Sequence, residues 1–498
     1  MHAPVQNLRP YPVARPIARK VDRFSIVAAG ASLAAALVVA LAVLHDFPNS
    51  ADEYGYLFGA ETFLRGRLYL DALPFDDFFG VTYVFSIDGK LVSQYAPGWP
   101  AFLAGVKLLG LPFVIAGPLA GAATVLATGA LARASFDERA ARAAMVLVAA
   151  APFFVFNAAS YFNHMWAALW LVLFALAGRR LLDEPSAGAA VLLGAAIGML
   201  GITRYFTALL AVVPFGIAFL WTARRAQWRL VPVALAAAAP FALFLLYYNW
   251  RITGDPFLTV TSWGLPFLKL GLWGYGVEGE NTPARAFSMA LTRVFELGEW
   301  TSPFFLALWA VAIGTALRRR TAQFTDFMLP LFAIAFLFYP DEGGNRYGPR
   351  YWFDAFPFMA VTVAGLLAGL APRLEDWRRS AVLHLAALHL VVCATMLPLL
   401  ARFEHEVVDG RMDLYDEVDR QGLRSAIVFI HDGTSELRLM EPGDLTRNGL
   451  SLDGDVLYAR DVDPQENRRL VAAFPERSFW IYEREPNERH GRIVPYRF

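Results

Sequence analysis

The chain alternates long apolar runs with short polar interruptions, and the length of the runs decides what they are. A helix that crosses a bilayer needs about 20 predominantly apolar residues. Runs near 25–44, 112–132, 143–159, 165–178, 187–203, 206–222, 230–248, 301–317, 325–340, 352–371 and 380–400 meet or approach that length, which predicts about eleven transmembrane helices. The first run follows Arg9, Arg15, Arg19, Lys20 and Arg23 and has no small-residue cleavage site behind it, so it reads as a signal anchor rather than a cleaved signal. Two apolar stretches, 54–65 and 97–109, are too short to cross and read as helices lying in the outer interface.

Arginines fix the orientation. They fall in alternate loops: Arg133, Arg139 and Arg142; Arg179 and Arg180; Arg224, Arg225 and Arg229; Arg318 to Arg320; Arg373, Arg378 and Arg379. Basic residues in short loops are retained in the cytoplasm, so the tail 1–24 is expected inside. An odd number of spans then places the end of the chain outside.

Composition sharpens this division. Of 498 residues 57% are hydrophobic and 18% charged, yet residues 401–498 hold 34 of the 88 charged side chains. The expected organisation is a cytoplasmic tail 1–24, a membrane body 25–400, and an extracytoplasmic unit 401–498. In that unit a helix at 413–421 leads into a strand at 426–430, and a helix at 464–474 into a strand at 479–482, the pattern of a small α/β unit in a supporting or substrate-capping role. The net charge of zero argues against a nucleic-acid partner, which requires a basic face. Cys393 is the only cysteine, so the chain forms no internal disulfide.

Candidate chemistry gathers on the outer side. Asn49-Ser50-Ala51-Asp52-Glu53-Tyr54 follows the first span directly. Adjacent carboxylates at a membrane boundary suit general-base work, because desolvation and a neighbouring acid both raise a carboxyl pKa. They equally suit a helix start, with Ser50 or Asp52 as cap and Glu53 facing the positive end of the helix dipole. Asp71, Asp76 and Asp77 in the same loop fit either a divalent-cation site built from oxygens or a solvated turn. His164, in the short outer segment 157–164, fits proton transfer, phosphate binding or plain packing. Arg204 interrupts an apolar stretch and requires an anion or water there. The segment 341–351 places Arg346, Arg350 and Tyr351 outside. Arginine's planar fork suits a phosphate, and pairing with Asp341, Glu342 or Asp354 is the competing use. Tryptophans 250, 263, 273 and 300 fit an interfacial belt.

Asp52-Glu53 just after the first span, the helix ending at Ala60 to Gly66, and Tyr95-Ala-Pro-Gly-Trp-Pro100 opening the second interfacial helix resemble the GT-C-fold, polyprenyl-phosphate-sugar-dependent glycosyltransferases. That superfamily includes protein O-mannosyltransferases and lipid A aminoarabinose transferases, and the resemblance spans about residues 20–400. It implies a bacterial inner-membrane enzyme that moves a sugar from a polyprenyl-phosphate donor to a lipid, glycan or protein acceptor on the outer side, by inverting displacement. Asp52 is then the base, with Glu53 and His164 beside it, and Arg204, Arg346, Arg350, Tyr351 and Asp77 are the substrate-binding set. Many members carry an acid between the third and fourth spans where this chain has Asn163-His164, which leaves acceptor geometry and a divalent metal open. Two other functions compete: a transporter or flippase for a lipid-linked substrate, which calls for repeats and midplane charges, and a non-catalytic assembly partner in which Asp52 is dispensable.

Overall fold

The structure is a computed structural model and describes residues 22–341, 343, 347–370, 376–431, 442–485 and 488–497. Each of the eleven apolar runs carries a helix or part of a bent helix pair. Six helices are long and apolar enough to cross a membrane, and two bent pairs raise the number to eight. Three further apolar helices, Ala187–Gly201, Phe324–Phe338 and Phe356–Gly369, are shorter. Phe113–Ser135, His164–Asp183 and Glu138–Ala149 pack together in the buried part of this membrane body, with Arg23–Ala42 against them on one side.

Both bends have the same local cause. A residue before proline is pushed out of the helical region, and proline fits the first turn of the helix that follows. Ala151 (ψ 126°) accordingly breaks the run expected at 143–159 into Glu138–Ala149 and Pro152–Ala159, bent by 65°. Ser302 (ψ 152°) likewise separates Pro283–Trp300 from Pro303–Arg318, bent by 111°. Pro283–Trp300 was not expected as a helix. It is amphipathic, exposing Phe287 and Phe295 while burying Met289, Arg293 and Leu297.

The two stretches expected to be helices too short to cross are helical, at Ala51–Leu64 and Gly98–Leu108, and pack on each other. Between them Leu70–Asp71, Val84–Ile87 and Lys90–Ser93 form a small antiparallel sheet. Beyond the body one helix, Asp376–Gln421, runs without a break through residue 400, so the expected division at 400 falls inside a rigid element. It leads into a four-stranded sheet in the order Val456–Arg460, Ala426–Ile430, Ser478–Glu483, Arg492–Pro495, the first three parallel and the last antiparallel.

Strand residues point alternately to opposite faces. Ala426, Val428 and Ile430 meet Leu414 and Val418 of the long helix, while Ile427 and Phe429 meet Leu470 and, from the first outer loop, Phe78 and Phe79. The outer loop therefore completes the core of the C-terminal sheet. Phe78 is fully buried there. Phe78→Ala is expected to cost about 3–5 kcal/mol, read as faster proteolysis of both the loop 66–94 and the C-terminal sheet. Accelerated cleavage of the loop alone would show that the two do not share a core.

Candidate functional site

Ser50, in extended conformation, caps the Ala51–Leu64 helix by accepting from the Glu53 amide at 3.2 Å. With the cap supplied by Ser50, Asp52 is released for other contacts. Its Oδ2 lies 3.0 Å from Arg350 Nη1, and its Oδ1 accepts from the Tyr95 hydroxyl. Both side chains are largely withdrawn from water, at 19% exposure for Asp52 and 10% for Arg350. Tyr95 reaches Asp52 because the neighbouring helix residue is Gly55, where a Cβ would come within 2.9 Å of the tyrosine ring. Arg350 opens the short helix Arg350–Phe353 and lies 4.6 Å above the Phe162 ring. Its Nε is buried and has no hydrogen-bond partner among the described residues.

A second cluster adjoins the first. Arg204 occupies the turn between Ala187–Gly201 and Tyr205–Thr222. Its Nε meets Asp354 Oδ2 at 3.0 Å, and its Nη1 meets Asn163 Oδ1 at 3.1 Å and His164 Nε2 at 3.4 Å. Asp354, fully buried, also takes His164 Nδ1 at 3.0 Å and the Thr207 hydroxyl at 2.6 Å. Gly98 allows the second interfacial helix to seat on this turn: its amide donates to Ile202 at 2.7 Å, and a Cβ would strike Thr203 Oγ1 at 2.3 Å. Tyr351 links the clusters, with Arg204 at 5.9 Å and Arg350 at 5.8 Å from its ring centre and Phe336 stacked on it at 4.9 Å. His164 also faces Tyr351, with ring centres 6.3 Å apart.

Electrostatics at Asp52 run against the sequence expectation of a raised pKa. Burial pushes the carboxyl up, but the Arg350 charge and the Tyr95 and Arg350 hydrogen bonds outweigh it and hold the group below its ordinary value of 3.8. The second carboxylate, Asp354, is paired with Arg204 at 3.0 Å. A cluster in which guanidinium groups already neutralise the carboxylates suits an incoming anion better than a divalent cation.

The structure thus brings Asp52, His164, Arg204, Arg350 and Tyr351 together. Glu53 turns elsewhere: it is buried, and its oxygens accept from the Tyr161 amide at 2.9 Å and the Ser50 hydroxyl at 3.1 Å, clamping two outer segments. Asp77 stands apart, 3.3 Å from Arg469 of the C-terminal unit. Arg346 lies outside the described residues. Sequence reasoning missed Asp354 as the partner of Arg204 and missed Tyr95 as a ligand of Asp52. An unpaired arginine in an apolar stretch was the available signal for the first, since it obliges an acid to lie nearby.

No protein-family model matches the sequence, and no curated protein matches it. Solved structures share its fold. ArnT from Cupriavidus metallidurans bound to undecaprenyl phosphate superposes over 92% of this chain and 92% of its own, with 14% identity and a TM-score of 0.56. The archaeal oligosaccharyltransferase AglB from Archaeoglobus fulgidus, in complex with an inhibitory peptide and a dolichol-phosphate, superposes over 82% of this chain with 13% identity and a TM-score of 0.50. This chain spans 62% of the archaeal protein's length. The fold is the GT-C fold of these glycosyltransferases, as the sequence resemblance implied.

The Asp52–Arg350 pair sets a pH dependence. With its pKa lowered on folding, Asp52 contributes stability that is complete at neutral pH and is lost as pH falls through the carboxylate range. Removing the guanidinium in Arg350→Ala takes away the largest influence opposing burial, leaves the Tyr95 hydrogen bond, and raises the carboxyl. Infrared difference spectra of that variant should show a protonated carboxylic acid at pH values where the wild type has none, and the band should vanish in Arg350→Ala/Asp52→Asn. An unshifted titration would mean that Arg350 is not what keeps Asp52 ionised.

Proposed function

We propose that the chain is a membrane glycosyltransferase. It takes a sugar from a polyprenyl-phosphate-linked donor and transfers it to an acceptor on the extracytoplasmic side of a bacterial inner membrane. The N-terminus is cytoplasmic and the sheet at the end of the chain is outside. The observation that carries this reading is the convergence of Asp52, Arg350, Arg204 and His164 at one place in a fold whose solved examples include proteins bound to undecaprenyl phosphate and dolichol-phosphate.

In this mechanism the donor phosphate docks on the Arg350 guanidinium through its spare Nε, with Arg204 as second cation. The acceptor hydroxyl replaces Tyr95 at Asp52. Its oxygen attacks the anomeric carbon from the face opposite the phosphate, the carbon–oxygen bond to the phosphate breaks, and configuration inverts. The acceptor proton passes to Asp52, and the electron pair of the broken bond leaves with the polyprenyl phosphate. Low basicity in the resting site is compatible with this role, because a phosphate that draws Arg350 toward itself weakens the contact that depresses Asp52, and burial then raises the carboxyl toward a useful base. Charge developing on the leaving phosphate is met by guanidinium groups already in place, the arrangement that contributes most in such sites.

Asp52→Asn keeps size and hydrogen-bonding capacity while removing the proton acceptor, and Ser50 still caps the helix. Turnover with a polyprenyl-linked sugar in reconstituted membranes should fall about 100-fold to 10,000-fold. Arg350→Lys should restore little of the donor use lost in Arg350→Ala, since an ammonium cannot reproduce the fork. Near-wild-type turnover in Asp52→Asn, with stability unchanged, would remove Asp52 from the chemistry.

A further inference from the structure

Three residues beyond the first helix, Arg23–Ala42, stands His45, and it faces another histidine 360 residues further along the chain. His45 Nε2 lies 2.9 Å from His405 Nδ1 and 3.6 Å from Asp409 Oδ1. His405 and Asp409 are one turn apart on the long helix Asp376–Gln421 and share one of its faces. One ligand atom from each of the three residues can be chosen so that all lie within 4.8 Å of one another, and no other group of three or more such side chains meets this condition among the described residues.

We propose that His45, His405 and Asp409 bind one late first-row divalent metal ion of the zinc class, separate from the Asp52 cluster, and that the ion ties the exit of the first helix to the long C-terminal helix. The donor set is two imidazoles and one carboxylate, which favours zinc and its neighbours and discriminates against magnesium and calcium, whose sites are built from oxygen. Ligands at about 2.0–2.1 Å around a tetrahedral ion stand about 3.3 Å from one another. The 2.9 and 3.6 Å from His45 Nε2 bracket that spacing and the remaining pair of ligand atoms lies within 4.8 Å, so closing on an ion is a matter of side-chain rotation. Three protein ligands leave a fourth position for water. The side chains are 34%, 42% and 48% exposed for His45, His405 and Asp409, which gives an ion access from solvent. Glu406, next to His405, is already held by Arg402 and Arg489 at 3.3 and 2.8 Å and does not compete.

The backbone is committed to this arrangement. His45 and Asp46 are both left-handed, with φ of 54° and 55°, a conformation that non-glycine residues adopt uncommonly and hold only when surroundings fix it. The segment beyond is pinned at several points. Asp46 accepts from the Tyr161 hydroxyl, Asn49 donates to the Tyr347 hydroxyl at 3.0 Å, and Glu53 accepts from the Tyr161 amide. An ion at His45 would anchor the near end of the strap that delivers Asp52.

The test uses the full chain in nanodiscs, free of any affinity tag and stripped with a chelator, titrated with Zn2+ against a fluorescent zinc indicator. One equivalent should bind, weakened by about 100-fold or more in His45→Ala and in His405→Ala, since loss of even an outer partner of a ligand costs 10-fold to 100-fold. Zn2+ should raise the unfolding temperature of the wild type and not that of His45→Ala/His405→Ala, while Mg2+ raises neither. The metal-free variant should unfold where the metal-free wild type does, because the substituted side chains are partly exposed. Equal Zn2+ affinity in wild type and double variant, or no saturable equivalent in the wild type, overturns the assignment.

Discussion

Taking a guanidinium and a carboxylate out of water costs several kcal/mol for each ion, and only close pairing offsets it. Asp52 and Arg350, 3.0 Å apart and largely shielded from solvent, meet that condition from positions 298 residues apart. The elements at this end of the helical body act together to hold them there. Ser50 takes over the cap so that the Asp52 side chain can turn inward. Gly55 lets Tyr95 close on the free oxygen, and Phe162 supports the guanidinium from below. Arg204 and Asp354 repeat the solution one layer further in, with His164, Thr207 and Asn163 completing the shell.

A charge pair in a site of low dielectric is held rigidly and is strongly perturbed by a third charge. A phosphate is the anion best matched to two planar guanidinium groups. The aromatic rings of Tyr351, Phe336, Phe162 and Tyr95 stand beside the paired groups without adding further charge.

Much of this was legible in the chain. Run length located the helical segments, and the two stretches too short to cross became the short helices Ala51–Leu64 and Gly98–Leu108. The strand at Ala426–Ile430 and the helix at Pro464–Ala473 stand where local pattern put them, because both are set by short-range periodicity. The bends were present as Pro152 and Pro303 but went unread, since hydropathy averages across a single residue. Pairing was not legible. An arginine announces that it needs an acid, yet whether Arg350 takes Asp52 or Asp354 depends on which helices pack, and that is decided by contacts hundreds of residues apart. For the same reason Glu53, one residue from Asp52, was grouped with it, although successive helical positions face about 100° apart and Glu53 serves Tyr161 instead.

A structure of the full chain with undecaprenyl phosphate bound tests most directly whether the donor phosphate sits on Arg350 beside Asp52. The expected result is a phosphate oxygen within hydrogen-bond distance of the Arg350 guanidinium, with the Asp52 carboxylate facing the position of the anomeric carbon. A phosphate lodged elsewhere, with Arg350 and Asp52 still closed on each other and Tyr95, would contradict it.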